Sequence, residues 1–115
     1  MAAPTYNITL NKGVDYETSI TLKDSSNNAI NVTSWVFKAE IRRDPDTDVE
    51  ATFTITKTNA SGGIIKLALT DTQTASLPVG NLLYDLVAKD GSNIIKRLLE
   101  GTVTVEATVS NTSGL

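Results

Sequence analysis

The chain has 115 residues, 40% of them hydrophobic and 20% charged, with a formal charge of −3. That is the size of one ordinary domain, and the composition excludes a collagen-like chain and wholesale disorder. Histidine and cysteine are both absent, which removes imidazole acid–base catalysis, thiol chemistry, zinc fingers, iron–sulfur clusters and disulfide staples.

The residues are read as one domain over 5–109 with a tail over 110–115. Tyr6, Ile8 and Leu10 alternate with polar residues, and after Lys12-Gly13 the alternation resumes as Val14, Tyr16, Thr18, Ile20 and Leu22. Such period-two patterning is the mark of a half-buried strand. Asp24-Ser25-Ser26-Asn27-Asn28 forms a turn, and Ala29 to Val32 make a short apolar return. The clearest strand places Trp35, Phe37, Ala39 and Ile41 on one face and Lys38, Glu40 and Arg42 on the other. Asp44-Pro45-Asp46 ends it. Phe53 and Ile55 share the next inward face, Asn59 to Gly63 turn, and Ile65, Leu67 and Leu69 begin another strand.

Thr70-Asp71-Thr72-Gln73 has the spacing of a capping box, and one short helical turn is expected near 71–77 before Pro78 and Gly80. Leu82, Tyr84, Leu86 and Ala88 open a strand that ends at the hairpin signal Asp90-Gly91. The last strand runs from about Asn93 to Val109. Gly101 reads as a bulge or bend, and Val103, Val105, Ala107 and Val109 are expected inward.

Seven or eight short strands with thin connections predict an all-β, antiparallel sandwich, with a small closed barrel as the competing architecture. The single Trp35 on the third long strand, and Tyr84 after a helical connection, favour an immunoglobulin-like arrangement.

Catalytic, cofactor and metal residues are not expected. Asp44, Asp46, Asp48 and Glu50 form an acidic loop, but from Asp44 the glycine and acid of an EF-hand would fall on Val49 and Ile55. Serine and threonine total 26 residues, yet no histidine and no Ser-x-x-Lys spacing supplies a base, so strand-face packing explains them. Lone carboxylates such as Asp85 and Glu100 could be written as a glycosidase pair, but Asp85 is opposite in phase to Tyr84 and Leu86 and reads as a sheet-surface residue, and sequence sets no carboxylate separation. The sequons at Asn7, Asn31, Asn59 and Asn111 read as strand and turn residues. Basic residues cluster no further than Arg42-Arg43, against nucleic-acid binding. No apolar run reaches a membrane span, and the first residues lack the charged and apolar regions of a secretion signal.

Leu82-Leu83, Ile94-Ile95 and Leu98-Leu99 place apolar side chains on both strand faces, although a sandwich buries only one. Either these strands are covered on both sides by loops or a bulge swaps their phase, or an interface lies on the last two strands, at Leu82, Ile94 and Leu98, with Val109 and Leu115 in the segment that follows.

Taken together, Gly13-Val14-Asp15-Tyr16, Leu22-Lys23-Asp24, Ala29 to Trp35 and Ala39-Glu40-Ile41-Arg42 resemble a family of tailed-bacteriophage proteins. So do Ile65 to Thr70 leading into Thr74-Ala75-Ser76-Leu77-Pro78, Leu83-Tyr84-Asp85-Leu86, and Leu99 to Val105. These are the immunoglobulin-like virion modules found in baseplate upper proteins and small structural proteins. The resemblance implies a non-enzymatic building block, made in the host cytoplasm and carried in the virion. It would dock on other phage structural proteins of the tail or baseplate, with homo-oligomerisation a further possibility. Two alternatives are a capsid-surface decoration protein and a host-glycan or receptor-binding module. Against the last, only Tyr6 and Tyr16 among six aromatics are spare from the expected core.

Overall fold

The structure is a computed structural model that describes residues 4–44 and 47–110. Eight strands form two facing sheets. In chain order they are β1 (Ile8–Asn11), β2 (Tyr16–Thr21), β3 (Val36–Arg42), β4 (Val49–Thr52), β5 (Thr54–Asn59) and β6 (Ile64–Leu69), then β7 (Gly80–Lys89) and β8 (Ile95–Glu106). One helical turn, α1 (Asp71–Ala75), lies between β6 and β7. The five-stranded sheet has the order β1-β8-β7-β3-β4 and the three-stranded sheet β2-β6-β5. Every pairing is antiparallel except β1 with β8. Two separate sheets make this an immunoglobulin-like sandwich and dispose of the closed barrel.

Alternation decides what fills the space between the sheets. Ile65, Leu67 and Leu69 of β6 face Ala39 and Ile41 of β3, Leu82, Tyr84 and Leu86 of β7, and Val103 and Val105 of β8, all within one buried cluster. Phe53 lies between β4 and β5, where the chain passes from one sheet to the other. Its amide donates to the Ala39 carbonyl at 2.9 Å, and its ring meets Tyr84 edge-on at 5.9 Å.

The capping box forms as its spacing predicts: the Gln73 amide donates to Thr70 Oγ1 and the Thr70 amide to Gln73 Oε1. Its purpose is to deliver Thr74, the one fully buried polar side chain among the described residues, to the turn between β1 and β2. There the Thr74 hydroxyl accepts from the Gly13 amide at 3.1 Å and lies 3.0 Å from the Val14 carbonyl, to which it donates. Lys12 Nζ reaches the Leu77 carbonyl at 2.8 Å, and Thr108 Oγ1 donates to the Lys12 carbonyl at 2.7 Å. The corner is thus stitched to both chain ends.

Two hairpin loops share one design. Asp24 and Asp90 each accept through Oδ1 from the amides two and four residues ahead. Asn27 and Asn93, each three residues on, take positive φ of 65° and 63°. Asn93, and not Gly91, thus supplies the left-handed residue of the β7–β8 hairpin, because the loop is a residue longer than a two-residue turn. Gly63 in the β5–β6 turn has φ 71°, and a Cβ there would lie 2.6 Å from the Ile30 carbonyl oxygen.

Four expectations need correction. Gly101 is neither bulge nor bend: it pairs with Tyr84, and a Cβ there would collide with the Tyr6 carbonyl, so glycine admits the N-terminal segment alongside β8. The bulge lies at Leu98, the residue skipped between the Leu86–Leu99 and Val87–Arg97 pairs. Ala107 and Val109 are exposed, because β8 ends at Glu106. Tyr84 sits mid-strand and not at the opening of its strand, and its phenol donates to the upstream carbonyl of Tyr6.

Thr74→Val keeps the shape and removes the hydroxyl bridge. It is expected to cost about 1–3 kcal/mol and roughly 5–15 °C in Tm, with Thr74→Ser largely restoring stability in urea melts. Burial raises the Tyr84 phenol well above its ordinary value. The folded state therefore keeps a proton that the unfolded chain releases, so this contribution is intact below about pH 10 and is lost as pH rises beyond it. Urea melts across that range should show an alkaline loss of stability that Tyr84→Phe reduces.

Candidate functional site

The outward face of the five-stranded sheet is where chemically mixed side chains converge. Register sets them in rows across β3, β7 and β8: Val36, Lys89 and Ile95; then Lys38, Val87 and Arg97; then Glu40, Asp85 and Glu100; then Arg42, Leu83 and Thr102. The bulge at Leu98 is what brings both Arg97 and Glu100 outward, since without it residues three apart would point to opposite faces. A groove of about 700 Å³ runs over the last three of these rows.

Three carboxylates stand side by side on neighbouring strands, an arrangement that repels unless cations intervene. Arg42 sits 3.1 Å and Lys38 3.6 Å from Glu40, and Arg97 pairs with Glu100. The Arg42 hydrogen bond holds the Glu40 carboxyl below its usual range, burial opposing it. Among the described residues, the central Asp85 carboxylate has no hydrogen bond or ion pair. Around this charge lie aliphatic side chains left in solvent: Val36 is 63% exposed, Ile95 74% and Leu83 41%.

The residues expected at an interface divide. Leu82 is only 3% exposed and belongs to the core. That expectation is corrected, because β7 turns its even-numbered residues inward and it is Leu83 that faces out. Leu98 is half-buried against the core at the bulge. Ile94 is exposed in the hairpin, Val109 is exposed beyond β8, and Leu115 lies outside the described residues. The outward set is Val36, Leu83, Val87 and Ile95: strict alternation from Phe37 and Tyr84 assigns the first three to that face, whereas Ile95 faces out because the bulge at Leu98 reverses the phase of β8.

Other candidates settle into structural work. In the acidic loop Asp46 lies outside the described residues. Thr47 bridges to the Asp44 backbone at 2.8 and 3.0 Å, and Arg43 sits 3.5 Å from Glu50. Among the described residues no group of three or more acidic side chains is placed to hold a metal ion. Asn7, Asn31 and Asn59 accept from the amides of Thr102, Thr33 and Gly62, while Asn111 lies outside the described residues. No helix among those residues is long and apolar enough to cross a membrane.

Trp35 is half-buried at the loop end of the sandwich, tilted against Phe37 at 6.1 Å with Lys96 Nζ 5.5 Å from its ring centre. Lys96 also pairs with Asp90 at 3.2 Å.

The chain matches no family model and no curated protein. Two solved structures share its fold over 93% of its length, both with a TM-score of 0.52. One is an endo-fucoidan hydrolase of glycoside hydrolase family 107, 20% identical. The other is the SrpA adhesin of Streptococcus sanguinis, 10% identical. The chain spans 13% of the hydrolase and 56% of the adhesin. At these identities the likeness is one of fold.

Arg42→Met should let the Glu40 carboxyl titrate closer to the usual glutamate value. Carboxyl-carbon NMR across the acid range checks this; an unmoved Glu40 would mean that Arg42 is not its main partner.

Proposed function

We propose that this protein is a non-enzymatic structural module of a tailed-bacteriophage virion that docks on neighbouring virion proteins, with a tail or baseplate position favoured. The observation that carries the docking part is the outward face of β3, β7 and β8. It combines exposed aliphatic side chains with fixed charges of both signs, the make-up of a protein-binding surface. The phage part rests on the sequence resemblance, whose segments supply framework: Gly13 at the β1–β2 turn, Thr74 and Leu77 at the corner, Tyr84 and Gly101 beside the N-terminal segment. None of them supplies a reacting group.

A second reading, recognition of a host glycan or receptor, is favoured by Trp35 and its Lys96 cover at an end rich in serine and asparagine. In that case a soluble glycan would displace Lys96 and shift the fluorescence of the single tryptophan.

Phage particles induced from the source strain and banded on a density gradient should contain the chain at a fixed copy number by quantitative mass spectrometry. Its absence from intact particles would overturn the virion assignment. A saturable glycan-induced shift in Trp35 fluorescence would replace the docking role with the receptor role.

A further inference from the structure

We infer that the outward face of β3, β7 and β8 is the seat of a second copy of this chain, docked face to face about a two-fold axis lying across the strands. The inference deepens the docking role proposed above and rests on that reading, while committing to one occupant.

The argument is charge complementarity with a fixed register. Along β3 the outward residues run Lys38, Glu40, Arg42, and along β8 they run Arg97, Glu100, Thr102. Both strands therefore change from positive to negative between the row of Lys38 and Arg97 and the row of Glu40 and Glu100, and β3 returns to positive at Arg42. A two-fold axis perpendicular to the strands lays each strand over its own copy running the opposite way. An axis through the row of Glu40, Asp85 and Glu100 would press carboxylate on carboxylate. An axis midway between that row and the row of Lys38, Val87 and Arg97 does the reverse. Lys38 then faces the second copy's Glu40, and Arg97 its Glu100, each contact occurring twice. The Asp85 carboxylate, which has no partner among the described residues, comes to lie over the second copy's Val87, between Lys38 and Arg97 of that copy.

The flanking rows fit the same placement. Val36 meets the aliphatic stem of the second copy's Arg42, Ile95 meets Thr102, and the Lys89 stem covers Leu83. Lys89 comes beside the second copy's Arg42, but both are long side chains at the rim whose charged ends reach water while the exposed aliphatic side chains are covered. Three strands spaced ~4.8 Å apart and ~24 Å of strand length give a face of roughly 350 Å² per copy. A standard stable interface takes about 800 Å² per partner, so the dimer is weak and concentration-dependent.

The experiment is sedimentation velocity over a concentration series, with circular dichroism melts showing that each variant folds. The wild-type chain should pass from monomer to dimer as concentration rises. Arg97→Glu and Glu100→Arg should each weaken self-association by roughly a hundredfold, because every like-charge contact appears twice across the axis. Mixing the two variants one to one should recover the dimer, since the mixed pair meets only opposite charges at these positions. The double variant R97E/E100R should recover it within one chain. Ile95→Asp should weaken it independently of the Arg97–Glu100 pair.

A wild-type chain that stays monomeric throughout would overturn the inference, as would a mixture that associates no better than its components. Either result concerns the second copy alone. The particle-content measurement decides the virion role separately, and a monomer found in purified virions would leave that role standing.

Discussion

The bond from the Tyr84 phenol to the carbonyl of Tyr6 governs where the first strand can run. The N-terminal segment lies in the notch beside Gly101, exchanging backbone bonds with Glu100 on both sides: the Tyr6 amide donates to Glu100 and the Glu100 amide to Pro4, at 2.9 and 3.0 Å. Only glycine at 101 leaves room for that approach. Held there, β1 continues in parallel along β8 and becomes the edge of the larger sheet. The division into five strands and three follows, and so does the place of β2 at the edge of the smaller sheet, where the Tyr6 hydroxyl lies 3.1 Å from Thr18 Oγ1. An antiparallel β1–β2 hairpin would have been the cheaper local solution. The tertiary contacts of Tyr84 and Thr74 override it.

This explains which parts of the fold were legible in the sequence. Alternation located β3, β6 and β7 because each has one face against the core, and the capping box at Thr70 and Gln73 marked α1 because both of its bonds are local. What escaped was non-local. Gly101 carries the same local meaning whether it bends its strand or makes room for another one, and only the passage of Tyr6 distinguishes the two. The apolar pairs raised a phase-swapping bulge as one reading, but its position stayed open: in Lys96-Arg97-Leu98-Leu99-Glu100 either leucine could have been the extra residue. The choice is made by the opposing strand, which aligns Leu86 with Leu99 and Val87 with Arg97.

The same ambiguity decided how much of the candidate surface could be read. An apolar pair such as Leu82-Leu83 states that one member faces outward, and phase from Tyr84 states which. Naming Leu82 followed hydrophobicity where phase should have ruled. The charged half of the surface needed the register across strands as well. Glu40, Asp85 and Glu100 are far apart in sequence, and nothing local marks them as neighbours.

That row of carboxylates also indicates what the face is suited to. Three like charges on adjacent strands weaken a sheet unless they are neutralised, and two of the three are neutralised by Arg42 and Arg97 from the rows on either side. A face serving only solubility would be served better by charges that alternate along each row, with no aliphatic side chains among them. Here the sign is uniform along each row, with one negative row of Glu40, Asp85 and Glu100 set between positive ones, and Val36, Leu83, Val87 and Ile95 fill the positions between. Sign segregated by row is a pattern that a second surface can match at one offset and must reject at the next. Such a surface therefore specifies the position of its partner more sharply than it binds it. For the docking role proposed above, this places the discrimination in the charged rows, while the exposed aliphatic side chains supply the modest attraction.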